Sequence, residues 1–336
     1  MTRLVVFGRL AAGCCVLAAA IGLRSTRAGA TMPVALVAEL EAVGLGTAAQ
    51  QAGATYVGEA RCIECHSQEN LHFSETTHAK LFRLKPANDA QRRVCEACHG
   101  PGSLHVARAA DKTALVGFTK AWGTPVATQN AMCLSCHRGG NRMHWSDSAH
   151  ASNDLACADC HNPMQQISAN ALLVRPTVAE TCFLCHPQQR AEFRRRSHMP
   201  LLEGKITCTD CHNPHGSPTR PMLKADSVND VCYTCHAEKR GPFIWEHAPV
   251  RESCLNCHQP HGSNHDKLLV AARPYLCQQC HNPPVGHPGQ FFRDGQSAAD
   301  ALVGGVQSAR AIGRSCQNCH SQIHGSNHPA GARFQR

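Results

Sequence analysis

The chain has 336 residues, of which 22 are Cys and 23 are His, while aromatic residues make up 5% and charged residues 17%. So much sulfur and imidazole beside so few aromatic side chains excludes an ordinary domain packed on Phe, Trp and Leu. The formal charge of +9 does not argue for nucleic-acid binding, for the reason given below.

In chain order, the first expected element is a signal peptide over residues 1–30. Arg3 and Arg9 give a positive start, Leu10 to Leu23 an apolar stretch too short for a membrane span, and Ala28-Gly29-Ala30 a small-residue cleavage site. Its removal takes away Cys14, Cys15, four arginines and no acids. The mature chain then keeps 20 cysteines and a charge of about +5. An N-terminal segment, 31–56, follows, with one helix expected over 34–43.

Every remaining cysteine lies in a C-x-x-C-H pentapeptide, and there are ten of these. They are Cys62, Cys65 and His66; Cys95, Cys98 and His99; Cys133, Cys136 and His137; Cys157, Cys160 and His161; Cys182, Cys185 and His186; Cys208, Cys211 and His212; Cys232, Cys235 and His236; Cys254, Cys257 and His258; Cys277, Cys280 and His281; and Cys316, Cys319 and His320. Chance would place about 0.1 such motif in a chain of this composition. Two thiols three positions apart suit thioether bonds to the two vinyl groups on one haem edge, and the adjacent His suits the iron as proximal ligand. No C-x-x-C lacks its His, which argues against zinc sites and redox dithiols. The sequence therefore implies ten covalently bound c-type haems (heme c).

Thirteen His remain for the other face of each iron. Sites one, three, five, seven and nine are each followed by an isolated His: His78, His150, His198, His247 and His287. Sites two, six, eight and ten are followed closely by His105, His215, His261 and His324, as in Asn213-Pro214-His215-Gly216-Ser217. Pro and Gly flanking the His make a turn that is stiff on one side and permissive on the other. Site four departs from this: Asn162-Pro163 is followed by Met164. The tenth distal ligand is assigned to His144 of the same module. His265, His328, His72 and Met164 are the alternatives, and a Met ligand would raise that haem's potential.

The chain reads as five two-haem modules, 57–126, 127–176, 177–226, 227–271 and 272–328. These make a first haem-binding part over 57–176 (sites one to four) and a second over 177–336 (sites five to ten) of one continuous elongated domain. First cysteines recur every 22 to 39 residues, leaving room for a turn or short helix between haems. The expected fold is that of a multihaem cytochrome c, mostly short helices and irregular coil around a haem chain with almost no sheet. Arg190 to Arg196 reads equally as a helix extension, a basic patch facing propionates or a solvated surface. The insertions 104–131 and 285–315 are the segments best suited to partners.

With so little protein per haem, porphyrins must stack closely, which favours electron hopping along the chain. Ligation by His on both faces leaves no open iron, which argues for an electron-transfer protein and against a reductase. Two propionates per haem would bring the mature protein to about −5 oxidised and about −15 reduced, so the basic chain partly cancels its cofactors.

The residues Tyr56-Val57-Gly58 to His66, the segment Arg142-Met143-His144-Trp145, the turn 213–217 and the end from Cys316 to His328 together resemble the periplasmic decahaem cytochromes of the DmsE/MtrA type over residues 53–330. The resemblance implies a wire threaded into a large outer-membrane β-barrel porin. Periplasmic electron-carrier proteins would meet one end, and an extracellular multihaem cytochrome, a terminal oxidoreductase or an external donor the other. Neighbouring irons roughly 10 Å apart would let ten haems cover an apolar band of about 25 Å. Met164 is where the chain departs from the pattern.

Overall fold

Each C-x-x-C-H folds as one helical turn. In all ten sites the His N–H donates to the carbonyl of the first Cys, at 2.9 to 3.1 Å. An i to i+4 bond of this kind brings both cysteines and the His onto one side of the backbone. The structure, a computed structural model, describes residues 53–281, 316–318, 320–329 and 331–334. The signal peptide, the 34–43 helix, the 285–315 insertion, His287 and Cys319 lie outside the described residues.

Among the described residues no helix exceeds the nine residues of Val126–Leu134. The only sheet-like pairings there are isolated bridges, His161 with Leu173, Ser197 with Ser263, His212 with Leu223, Trp245 with Ser326 and His258 with Leu269. Short helices, coil and almost no sheet are what the spacing of the motifs predicts. No described helix is long and apolar enough to cross a membrane.

The side-chain core is thin. Phe73, Ala79 and Val94 form a buried cluster on which Phe82, Cys95 and Met164 pack, and the largest side chains below 2% exposure are Thr76 and Ser263. Polar side chains therefore carry much of the positioning. Thr76 caps the helix Thr77–Leu84 by accepting from Ala79 N–H, and Ser148 caps Ala149–Ser152 by accepting from Ala151 N–H. These caps place His78 and His150 at the second position of their helices.

Buried asparagines couple consecutive sites. Asn130, three residues before Cys133, donates to Leu155 O and accepts from Cys157 N–H. Asn229, three residues before Cys232, donates to Val250 O and accepts from Cys254 N–H. One amide thus holds the start of an even site against the helix that opens the odd site before it. At the N-terminal end the buried carboxylate of Glu96 accepts from Val57, Gly58 and Gly102 N–H. It closes site two onto the segment leading into site one.

The expected 104–131 insertion folds back on site two: Ala114 and Val116 are buried, and Val116 exchanges hydrogen bonds with His99. Of the basic run, helix Pro187–Glu192 takes in Arg190 and then ends. Arg195 donates to Gln259 and Gly262, and Arg196 pairs with Asp266, so these two arginines are engaged with the turn after site eight.

Replacing Glu96 by Ala leaves three backbone donors without their acceptor. It should lower stability by about 2–3 kcal/mol, measured as a lower midpoint in thermal unfolding of the haem-loaded protein. Asn229→Ala should destabilise by on the order of 1–2 kcal/mol, and an unchanged midpoint would show that water replaces the clamp.

Candidate haem-ligand sites

Seven ring pairs join a C-x-x-C-H imidazole to a His outside the motifs. Their centroids are 6.2 Å apart for His66 and His105, 5.9 Å for His137 and His78, 6.0 Å for His161 and His215, and 6.2 Å for His186 and His150. The others are His212 and His261 at 6.2 Å, His258 and His324 at 6.2 Å, and His281 and His247 at 6.1 Å. A metal–imidazole nitrogen bond of about 2 Å, plus roughly 1 Å from nitrogen to ring centre, puts two rings on opposite faces of one iron about 6 Å apart. The pairs fit a haem iron between them. No group of three or more His, Cys, Asp or Glu gathers to hold a bare metal ion among the described residues, as a zinc site would require.

The pairing follows a rule. Odd sites three, five and nine take the His that follows the odd site two earlier. Even sites four, six and eight take the His of the turn after the even site two later. Site one takes His105, after site two. Each of these ring pairs is therefore built by segments far apart in sequence.

Even sites share a second feature. Nδ1 of the motif imidazole donates to a backbone carbonyl in all five: His99 to Val116 at 2.8 Å, His161 to Ala171 at 2.7 Å, His212 to Pro221 at 2.9 Å, His258 to Lys267 at 2.9 Å and His320 to Arg333 at 2.5 Å. Such a bond fixes the tautomer with Nε2 free for iron and makes the ring a stronger donor. After sites four, six and eight the acceptor is delivered by a closed loop. At site six, Asn213 N–H bonds Met222 O and Lys224 N–H bonds Cys211 O. Ala171 and Lys267, whose carbonyls serve this purpose, sit at φ +61° and +58°, a left-handed conformation that costs energy without glycine. Odd-site rings lack such a carbonyl among the described residues; His66 and His236 instead have Glu69 and Glu238 at 3.6 and 3.7 Å.

In eight of the motif and partner imidazoles burial favours the neutral ring, the form that binds metal. Desolvation lowers the pKa of His78, His99, His105, His137, His212, His215 and His247, and with neighbouring cations brings His324 down to about 4. The Nδ1 atoms of His78 and His105 are buried without a hydrogen-bond partner. That arrangement suits rings held by the bond at their other nitrogen.

The cysteines give the order of the sites. First cysteines neighbour one another across sites one and two (Cys62, Cys95), three and four (Cys133, Cys157), five and six (Cys182, Cys208), seven and eight (Cys232, Cys254) and nine and ten (Cys277, Cys316). Second cysteines neighbour one another across two and three (Cys98, Cys136), four and five (Cys160, Cys185), six and seven (Cys211, Cys235) and eight and nine (Cys257, Cys280). Sites therefore succeed one another in space as they do in sequence.

Not every expected ligand is paired. His198 Nε2 lies 3.0 Å from Glu203 Oε1, and this contact raises the His198 pKa. His144 lines an open cleft with Met143 and Asn213 and makes no ring pair with a motif imidazole. His72 is exposed on helix Ser67–Ser74; His265 and His328 follow turn serines whose hydroxyls accept their N–H groups. The pairing rule, the Asn clamps and the carbonyl acceptors were not read from the sequence. The acceptors could have been found from the even-site loops, which recur with Leu at 173, 223 and 269.

Repeated attachment turns, paired imidazoles and a scaffold of short helices define a multihaem c-type cytochrome. A model of the doubled CXXCH motif matches residues 198–241 and 247–286, and one of NrfB-like cytochrome c-type proteins matches 95–172. Multiheme cytochrome MtrA of Shewanella baltica is 43% identical over 282 residues, covering 83% of this chain and 81% of the relative. Cytochrome c-552 of Desulfotalea psychrophila is 24% identical over 173 residues, 40% of this chain and 34% of that protein. The chain belongs to the MtrA family of multihaem c-type cytochromes, electron-transfer proteins with several covalently attached haems.

Gly216 adopts φ +104°, and a Cβ there would lie 2.2 Å from His144 O. Gly216→Ala should push the turn away and separate His215 from His161. The expected readout is a high-spin ferric signal worth about one haem in electron paramagnetic resonance, absent from the wild type.

Proposed function

We propose that the chain carries ten c-type haems, one on each C-x-x-C-H, and conducts electrons through them across the outer membrane within a β-barrel porin partner. Proximal ligands are the ten motif imidazoles. Distal ligands are His78, His105, His150, His198, His215, His247, His261, His287 and His324, together with one residue at site two. The haems supply the redox chemistry, each iron passing between ferric and ferrous.

The chain's own contribution is position. The alternating proximity of first and second cysteines is the observation that carries this reading, because it supports an unbroken file of sites in chain order. Crossed pairing ties six of the sites to segments two sites away and site one to the segment after site two, so separation between neighbours is set by the protein. Closed axial positions exclude small-molecule ligands and keep the chain a conductor.

The barrel, the periplasmic location and the exchange with periplasmic carriers and external donors or acceptors rest on kinship with MtrA and on the expected signal peptide. Lipid contact would be the barrel's task, since no described helix suits a membrane.

Protein tagged and purified from its native membranes should give about ten haems per chain by the pyridine haemochrome assay and should bring down a large outer-membrane β-barrel. Carbon monoxide should leave the reduced spectrum unchanged. Quantitative release with the periplasmic fraction, free of any barrel, would instead make it a diffusing carrier.

A further inference from the structure

We infer that Met164 is the sixth ligand at site two, its thioether facing His99 across the haem held by Cys95 and Cys98. The inference rests on the proposed haem at that site and assigns its open position.

Four turns follow the even sites from four to ten, and they share one backbone. In each, one N–H bonds back three positions along the turn: Gly216 N–H to Asn213 O, Gly262 to Gln259, Gly325 to Gln322, and Gln165 to Asn162 at 3.4 Å. The loop then closes in each case, with Asn162 N–H on Leu172 O, Asn213 on Met222, Gln259 on Leu268 and Gln322 on Phe334. Asn213 Oδ1 accepts from His215 N–H at 3.2 Å, and Asn162 Oδ1 accepts from Met164 N–H at 3.1 Å. Met164 therefore occupies the turn position held by His215, His261 and His324.

Those three imidazoles serve the even site two earlier. His215 faces His161 of site four, His261 faces His212 of site six, and His324 faces His258 of site eight. The same step from the turn after site four reaches site two. Met164 packs on the Phe73, Ala79 and Val94 cluster that also takes in Cys95, so its side chain arrives beside that attachment site. His99 already has its Nδ1 committed to Val116 O.

Two of the spare imidazoles are elsewhere. His144 lines the cleft against the turn that serves site four, and its carbonyl is the group a Cβ on Gly216 would strike. His265 follows the turn that serves site six. A thioether is a neutral, soft ligand that favours ferrous iron, so site two should titrate above the bis-His haems.

The test uses the full haem-loaded chain in its ferric form. A sulfur-to-iron charge-transfer band at the red edge of the visible spectrum should appear with the intensity of one haem. It should vanish in Met164→His and in Met164→Leu and persist in His144→Ala. Redox titration of Met164→His should show one haem moving to lower potential. Absence of the band from a wild type carrying its full haem complement, or its survival in Met164→His, would overturn the inference. Cys95 and Cys98 open to thiol alkylation in unfolded wild type would remove the haem and overturn both readings.

Discussion

Two imidazoles that clasp one iron need centroids about 6 Å apart, and seven ring pairs here meet that distance with segments remote in sequence. His215 reaches His161 across 54 positions and His324 reaches His258 across 66. Short helices and coil are the consequence, because a long helix would carry a ligand past its target. The i to i+4 turn of each motif is as much regular structure as attachment needs. Beyond it the chain spends its residues on caps, clamps and loops that deliver a ring.

This explains why polar side chains hold positions that a conventional core gives to hydrophobes. Thr76 and Ser263 are the largest fully buried side chains, Asn130 and Asn229 are each satisfied by backbone groups leading into the next site, and Glu96 by backbone groups of two segments. Buried amides and carboxylates are costly unless paired, and when paired they are directional. Direction is what a ligand cage requires. Apolar mass then comes from the porphyrins that the cysteines attach.

Attachment was legible from sequence because it is local: Cys, Cys and His lie within five residues. The short-helix, sheet-poor scaffold was legible for the same reason, since the intervals between motifs admit little else. Which His faces which site was not, because that depends on pairing across modules. His78 goes forward to site three while His215 goes back to site four, although both merely follow a motif. Treating modules as self-contained pairs led to His144 for the missing ligand of its own module. The structure instead sets Met164 in a turn homologous to three that export their ligand backwards. The clue was present in Asn162-Pro163, which matches Asn213-Pro214 and lacks only the imidazole.

The two kinds of site are tuned differently. Even-site imidazoles give Nδ1–H to a carbonyl, which strengthens them as donors and favours ferric iron, whereas His66 and His236 of the odd sites stand near exposed carboxylates at longer range. With the proposed haems in place, a file of sites alternating in this way would have neighbours of unequal potential. At site two, three influences act together. The His99 to Val116 bond favours the ferric state. The apolar surroundings of Phe73, Ala79 and Val94 disfavour its extra charge, and a thioether at Met164 would disfavour it further. Two of the three act in one direction. With the proposed thioether, site two would favour ferrous iron more than a bis-His site in the same surroundings.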